Sequence, residues 1–150
     1  MELVTTKTVL ASDMGLAGNL FGGVMLSWLD LAGAAYVMEI CDSPRFVTKK
    51  FEEVVFEKPV KTGNLIKIYA SVIKFGNSSI NVLLEARKHN VESGNQQIVC
   101  KTTVIFVKIN EDGEPIPISD RVKIRYEVRY KKYGKGLLTP EEIEREKPTL

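Results

Sequence analysis

The stretch Asn19-Leu20-Phe21-Gly22-Gly23, with the run behind it, Val24-Met25-Leu26-Ser27-Trp28-Leu29-Asp30-Leu31-Ala32-Gly33-Ala34-Ala35-Tyr36-Val37-Met38-Glu39-Ile40-Cys41, decides the fold. Between Val24 and Cys41 the polar side chains are Ser27, Asp30, Tyr36 and Glu39 alone. A helix that is apolar on every side belongs in the interior of a fold rather than on its surface. An ionised carboxylate inside such a helix is costly unless it is paired or hydrogen-bonded. Asp30 therefore has two readings, a functional acid or a satisfied structural one.

What surrounds the helix is strand. A first strand is expected at about residues 3–10, before the glycine segment. Phe46 to Phe56 is rich in Val, Phe and Thr and closes at Lys58-Pro59, which predicts a second strand. After the turn Thr62-Gly63-Asn64, the residues Ile66, Ile68, Ala70 and Val72 alternate with Lys67, Tyr69 and Ser71, the mark of a half-buried strand. Gly76-Asn77 turns the chain, and Ile80, Val82, Leu84 and Ala86 repeat the alternation. Ser93-Gly94-Asn95 turns it again into a last long strand, Gln97 to Ile109, which ends in Asn110-Glu111-Asp112-Gly113-Glu114-Pro115. One flat face of a sheet cannot cover a helix that is apolar all round. The sheet must curl around it, or a second chain must cover the remainder. Both together describe an α+β hot-dog fold, a curved antiparallel sheet wrapped on one long central helix and dimerised edge to edge. Cone-shaped helix-sheet folds and ferredoxin-like folds need more than one long core helix, and the pattern supplies one.

From Ser119 onward the character changes. Val122, Ile124, Tyr126, Val128 and Tyr130 alternate with Arg121, Lys123, Arg125, Glu127, Arg129 and Lys131, predicting an amphipathic strand with one basic face. Thr139-Pro140-Glu141-Glu142 supplies a cap, a first-turn proline and acidic residues for a short helix over 140–147. The chain thus divides into a domain over 1–118 and a basic extension over 119–150.

Composition narrows the function. At 150 residues, 44% hydrophobic and 27% charged, the chain is an ordinary globular domain with a real core. A net charge of +2 is too small to argue for nucleic acid. Cys41 and Cys100 fit no metal spacing and are expected as reduced, buried thiols. The first residues carry no secretory pattern. Gly22 to Cys41 is nearly long enough to span a bilayer, but its central Asp30, its scattered Gly and Ala and the strand-rich remainder argue against a membrane span. A cytoplasmic protein is expected. His89 is the single histidine, at a strand end, so no protein-only metal site and no histidine relay is expected. No phosphate loop or dinucleotide fingerprint is present.

What remains is the Gly-Gly helix start and the acid within the helix. Free N–H groups and the positive dipole end at Gly22 and Gly23 suit a developing oxyanion, and glycine permits close approach of a ligand. The alternative is a plain turn into the helix. Asp30 lies eight residues beyond Gly22, roughly 12 Å along the axis at 1.5 Å per residue. One carbonyl cannot touch both on the same helix. If both serve one reaction they come from different subunits. Gly23, Ser27, Asp30 and Ala34 line up as one small, polar face suited to close helix approach.

The run Gly18-Asn19-Leu20-Phe21-Gly22-Gly23, with Trp28, Leu29, Asp30 and Ala32-Gly33-Ala34, resembles the hot-dog acyl-CoA thioesterases, in particular the small bacterial broad-specificity acyl-CoA hydrolases. The resemblance continues through Val47-Thr48, Val55-Phe56 with Pro59-Val60, Gly63-Asn64, Gly76-Asn77-Ser78-Ser79-Ile80, and Gly113 with Pro115, over residues 7–118. It implies that Asp30 activates water as general base, or attacks as nucleophile, while the Gly23 and Gly22 amides polarise the thioester carbonyl. By the same resemblance Ser27 and Thr48 line the pocket, together with Asn19 and Phe21. The turn Gly76-Asn77-Ser78-Ser79 would then meet the pantetheine or phosphates of coenzyme A. No cofactor is implied beyond the coenzyme A of the substrate. The implied assembly is a homo-oligomer, a dimer as minimal unit and a hexamer as trimer of dimers. The family's usual Met-Pro-x-x-x-Asn is replaced within Ser12-Asp13-Met14-Gly15, and Gly15 stands where an asparagine helps position substrate or water. That departure admits an alternative, an acyl-CoA-binding regulatory or weakly active homologue. Hot-dog dehydratases are disfavoured because their catalytic histidine has no counterpart. The tail is outside the family pattern, and nucleic acid as its partner is not expected.

Overall fold

Strand alternation places the core. Ile66, Ile68 and Ala70 on one strand and Ile80, Val82, Leu84 and Ala86 on the next are fully buried, while their neighbours face outward. The structure, a computed structural model, describes residues 1–133. In chain order these form β1 (Glu2–Thr8), two short 3-10 turns (Ala11–Asp13 and Leu16–Gly18), α1 (Gly22–Cys41), β2 (Phe46–Phe51), β3 (Val55–Phe56), β4 (Leu65–Phe75), β5 (Ser79–His89), β6 (Gln96–Lys108) and α2 (Asp120–Tyr133). All pairings are antiparallel, in the order β1-β4-β5-β6-β2, with β3 also on β6. The register shifts in every pairing except that of β3, and such bulges bend a sheet. The bent sheet carries α1 on its inner face, which is the hot-dog arrangement.

How closely α1 approaches is set by one glycine. A Cβ on Gly33 would stand 2.7 Å from Phe106 Cζ and 3.1 Å from Leu84 Cδ1, both rooted in the sheet. Met25, Leu29, Ala32, Tyr36, Val37 and Ile40 bury themselves on the same side. On the other side Ser27, Leu31 and Ala35 remain exposed at four-residue intervals, Leu31 at 68%. The protomer's own sheet therefore covers only part of a helix that is apolar nearly all round.

Two expectations require correction. The single strand over 46–56 is two, because four steps from Phe51 to Val55 face only three from Val104 to Lys101 on β6. The surplus residue breaks the ladder at Glu52-Glu53, leaving Glu52 N–H bonded to Thr103 O at 2.9 Å. The tail strand over 122–130 is also wrong, since α2 is a helix. Val122 and Tyr126 are buried one turn apart, Tyr130 stacks on Tyr126, and Ile124 and Val128 are 60% and 58% exposed. A residue every second place was consistent with either element, because positions 122, 126 and 130 also fit a helix stripe. Ser119 decides it by capping: its side-chain oxygen accepts the Val122 N–H at 3.4 Å, and Asp120 follows in the first turn. The helix expected over 140–147 lies outside the described residues.

α2 packs into the same core as residues 1–118, through Ile118, Val122 and Tyr126. Its Arg125 donates to Ile40 O at 2.6 Å and pairs with Asp42 at 2.7 Å, placing a cation on the C-terminal end of α1. The Val72 N–H donates to the Tyr126 hydroxyl at 3.2 Å, and the Tyr36 and Tyr126 hydroxyls meet at 3.5 Å. Burial and that contact hold the Tyr36 phenol far above its usual range, so it stays protonated.

The segment leading into α1 is tied down by backbone bonds. Phe21 N–H donates to Asp13 O at 3.0 Å, Leu20 N–H to Val60 O at 2.8 Å and Gly15 N–H to Asn19 O at 2.7 Å. Asp13 also accepts the Leu10 N–H at 2.8 Å. Within it Ala17 sits in the left-handed region, with φ 59° and ψ 18°.

Two stability outcomes follow from these positions. Gly33→Ala should destabilise by about 1–3 kcal/mol, the usual cost of overpacking, seen as a lower urea midpoint with an unchanged slope. Ala17→Gly should stabilise by roughly 0.5–1 kcal/mol, because a left-handed alanine costs more than the added chain entropy of glycine, and the same melt reads the gain.

Candidate active site

Helix geometry leaves the first amides of α1 without intrahelical acceptors. Val24 N–H and Met25 N–H both donate to Phe21 O, at 3.0 and 3.2 Å, so the ladder begins there. The amides of Gly22 and Gly23 precede it, and Phe21 at the cap position supplies no side-chain acceptor. Gly22 lies beside a cavity of about 410 Å³, bordered also by Asn19, Met25, Phe56, Val60 and Val99. A Cβ on Gly22 would stand 3.4 Å from the Phe56 ring, so the missing side chain keeps this end of the cavity open. Asn19 Oδ1 and Gly18 O are both bonded by the Lys61 ammonium, which pins the strand entering the helix. Phe21 is 59% exposed, with its ring over Gly23.

Two turns further along, Asp30 is half-buried and has a partner. Thr48 Oγ1 donates to Asp30 Oδ1 at 2.6 Å. Thr48 sits where the β2–β6 register shifts, so the bulge presents its hydroxyl to the helix. One carboxylate oxygen is thereby fixed, and no protein donor meets the other among the described residues. Ser27, on the same exposed face, donates to Val24 O at 2.7 Å and turns its hydroxyl back on its own helix.

The turn Gly76-Asn77-Ser78-Ser79 is elsewhere. Gly76 N–H donates to Ser79 O, Lys108 N–H to Ser78 O and Ile118 N–H to Asn77 O, each at 2.8 Å. A Cβ on Gly76 would meet Ser79 Oγ, so glycine leaves room for that hydroxyl as it stands. Ser79 pairs with Val107, whereas Phe56, under Gly22, pairs with Cys100. Seven residues of strand separate those pairs, which puts the turn about 20 Å from the helix start. One protomer therefore brings together Asp30 and Thr48, and separately Asn19, Phe21, Gly22 and Gly23. It does not bring these groups to each other or to the turn. Phe56, Val60 and Lys61 were not singled out as site residues. Phe56 and Val60 stood only within the stretches that carry the resemblance, Lys61 in the loop after them, and nothing there shows that β3 folds back beneath the helix start.

Other chemistries are poorly provided for. No cluster of three potential metal ligands exists among the described residues. His89 meets Gln96 Nε2 at 3.2 Å at the end of β5, with no nucleophile beside it. Cys41 and Cys100 are buried, and burial pushes both thiols up to about 11, so neither is a thiolate at neutral pH.

Against known proteins, residues 17–94 match the family model of the Thioesterase superfamily. The acyl-CoA thioester hydrolase YciA of Salmonella typhimurium is 32% identical over 120 residues, covering 78% of this chain and 90% of the relative. Two solved structures superimpose well. The hexameric hotdog fold thioesterase Cj0915 of Campylobacter jejuni is 38% identical with a TM-score of 0.73, covering 83% of this chain and 95% of that one. The hexameric thioesterase y2039 of Yersinia pestis is 30% identical with a TM-score of 0.73, covering 79% and 96%. Fold and sequence agree, and the chain belongs to the thioesterase superfamily.

Proposed function

We propose that the protein hydrolyses acyl-CoA thioesters at a site shared between subunits, with Asp30 as general base. The observation that carries this is the Asp30 carboxylate, oriented by Thr48 on the exposed side of a helix whose first amides are unused. Asp30 takes a proton from water as the water oxygen attacks the thioester carbon. The charge that develops on the carbonyl oxygen is met by the Gly22 and Gly23 amides of another protomer, where the helix dipole adds to the N–H donors. The C–S bond then breaks, the acid departs, and the coenzyme A thiolate recovers the proton. No cofactor is required beyond the coenzyme A of the substrate. A shared site also accounts for the roughly 12 Å between Asp30 and its own helix start. The proposed assembly is a dimer closed over the exposed Ser27, Leu31 and Ala35 side of α1, with three dimers making a hexamer; the similar Campylobacter and Yersinia thioesterases are hexameric. Two free cysteines support a reducing, cytoplasmic setting.

Thiol release from a panel of acyl-CoAs tests the chemistry. Loss of a positioned general base costs typically 10²–10⁴-fold, so Asp30→Ala and Asp30→Asn should each lower kcat by about that factor. Equal inactivity of the wild type and both variants across short and long acyl chains would sink the proposal. The shared site has its own test. Asp30→Ala and Gly22→Val protomers, each inactive alone, should regain turnover when refolded together, because a mixed pair rebuilds one intact site. Gly15→Asn separates hydrolysis from a binding-only protein. A Cβ at Gly15 would lie 3.1 Å from Phe21 Cα, so asparagine there should disturb the helix start and lower turnover. A rise in turnover would instead favour the acyl-CoA-binding homologue.

A further inference from the structure

A second cavity, of about 560 Å³, opens between the end of β4 and α2, at the opposite end of the sheet from the helix start. Its wall is aromatic and held in place. Phe75 meets Tyr126 edge-on, with ring centres 5.7 Å apart, and Tyr126 stacks nearly parallel to Tyr130 at 6.0 Å. The Val72 amide and the Tyr36 hydroxyl fix the buried Tyr126, while Tyr130 is half exposed and presents its ring to the opening. Cations reach the cavity from both elements, Lys74 from β4 and Lys123 and Lys131 from α2. None of the three is in an ion pair among the described residues, whose four pairs involve Arg45, Arg87, Lys101 and Arg125. Among the described lining residues Glu127 is the only acid, set against three lysines.

We propose that this cavity binds a phosphorylated nucleoside, its base stacked on Tyr130 and its phosphates among Lys74, Lys123 and Lys131. An aromatic wall beside unpaired cations selects a flat ring that carries concentrated negative charge. A fatty acyl chain finds no closed apolar slot here, and a bare anion leaves the rings unused. The volume falls within the range of small-molecule sites. Phe75 runs directly into Gly76, and Asn77 O holds the Ile118 amide ahead of α2, so cavity and turn form one ledge. Two sources share this chemistry: the phosphorylated adenosine end of the coenzyme A in the substrate, and a free nucleotide acting as effector. Only the first rests on the proposed hydrolysis.

Calorimetric titration of the full-length protein with ADP and with adenosine 3′,5′-bisphosphate reads the site without turnover. Both probes should bind, less tightly as salt is raised. Removing a base-stacking aromatic weakens binding by about tenfold in comparable sites, so Tyr130→Ala should do the same, and the pair Lys123→Ala with Lys131→Ala should also weaken both probes. Ile124→Ala, exposed on another side of α2, should leave the Kd where it was. If coenzyme A displaces the bisphosphate, and Tyr130→Ala raises KM for an acyl-CoA but not for the matching acyl-pantetheine, the site takes the substrate's own nucleotide. If coenzyme A does not displace ADP, the site takes a separate effector. No binding at millimolar probe, or binding indifferent to Tyr130 and the lysines, overturns the proposal. An inactive protein that still binds both probes would remove the hydrolysis and leave this site standing.

Discussion

α1 is apolar nearly all round, and that constraint organises the rest of the molecule. Burying such a helix needs cover on all sides, and a sheet offers one. The bulged sheet bends around it and takes the side bearing Met25, Leu29, Ala32 and Val37. Gly33 lets the two come close enough for Phe106 and Leu84 to lie against the helix backbone. Ser27, Leu31 and Ala35 are what one sheet leaves over. Incomplete cover of the core helix and the proposal of a shared site are thus one fact seen from packing and from chemistry.

The same helix carries the candidate chemistry at two depths. Its start borders a cavity at Gly22, where no side chain stands. Its carboxylate stands two turns along, where an exposed bulge on β2 delivers Thr48 to it. The Thr48 hydroxyl fixes the direction of the carboxylate, which a base acting on a bound water requires. Asp30 is half-buried at the margin of the protomer, which leaves a second chain free to exclude solvent.

Sequence reasoning went furthest where one period was unambiguous. The alternation in β4 and β5 named Ile66, Ile68, Ala70, Ile80, Val82, Leu84 and Ala86 as buried, although Val72 is only half-buried and Glu85 is buried too, and the glycine turns at Gly63, Gly76, Gly94 and Gly113 fell where the chain turns. Asp30 and the glycine pair were legible because a polar or minimal residue in an apolar run is conspicuous. The break between β2 and β3 was not, since it depends on how many residues of β6 lie opposite. α2 was misread because side chains at 122, 126 and 130 satisfy both a two-residue and a four-residue spacing. The capping Ser119 and Asp120 held the discriminating signal. The Asp30–Thr48 contact joins residues eighteen apart through a bulge, and no local pattern encodes it.

The two ends of α1 are treated in opposite ways, and this asymmetry bears on function. At the C-terminal end, Asp42 adopts the left-handed cap conformation and Ser43 N–H returns to Met38 O. Arg125 from α2 adds its guanidinium to Ile40 O and to the Asp42 carboxylate. Carbonyls that would otherwise be orphaned are satisfied, and the negative end of the dipole meets a cation. At the N-terminal end nothing comparable occurs. Phe21 offers no capping oxygen, no acidic residue sits in the first turn, and two glycines leave the backbone bare. A helix needing only stability would gain from Ser, Asp or Asn at that cap, by about 1 kcal/mol. Leaving those donors unmet is reasonable if their acceptor arrives with the substrate, as an oxygen that becomes an anion only during reaction.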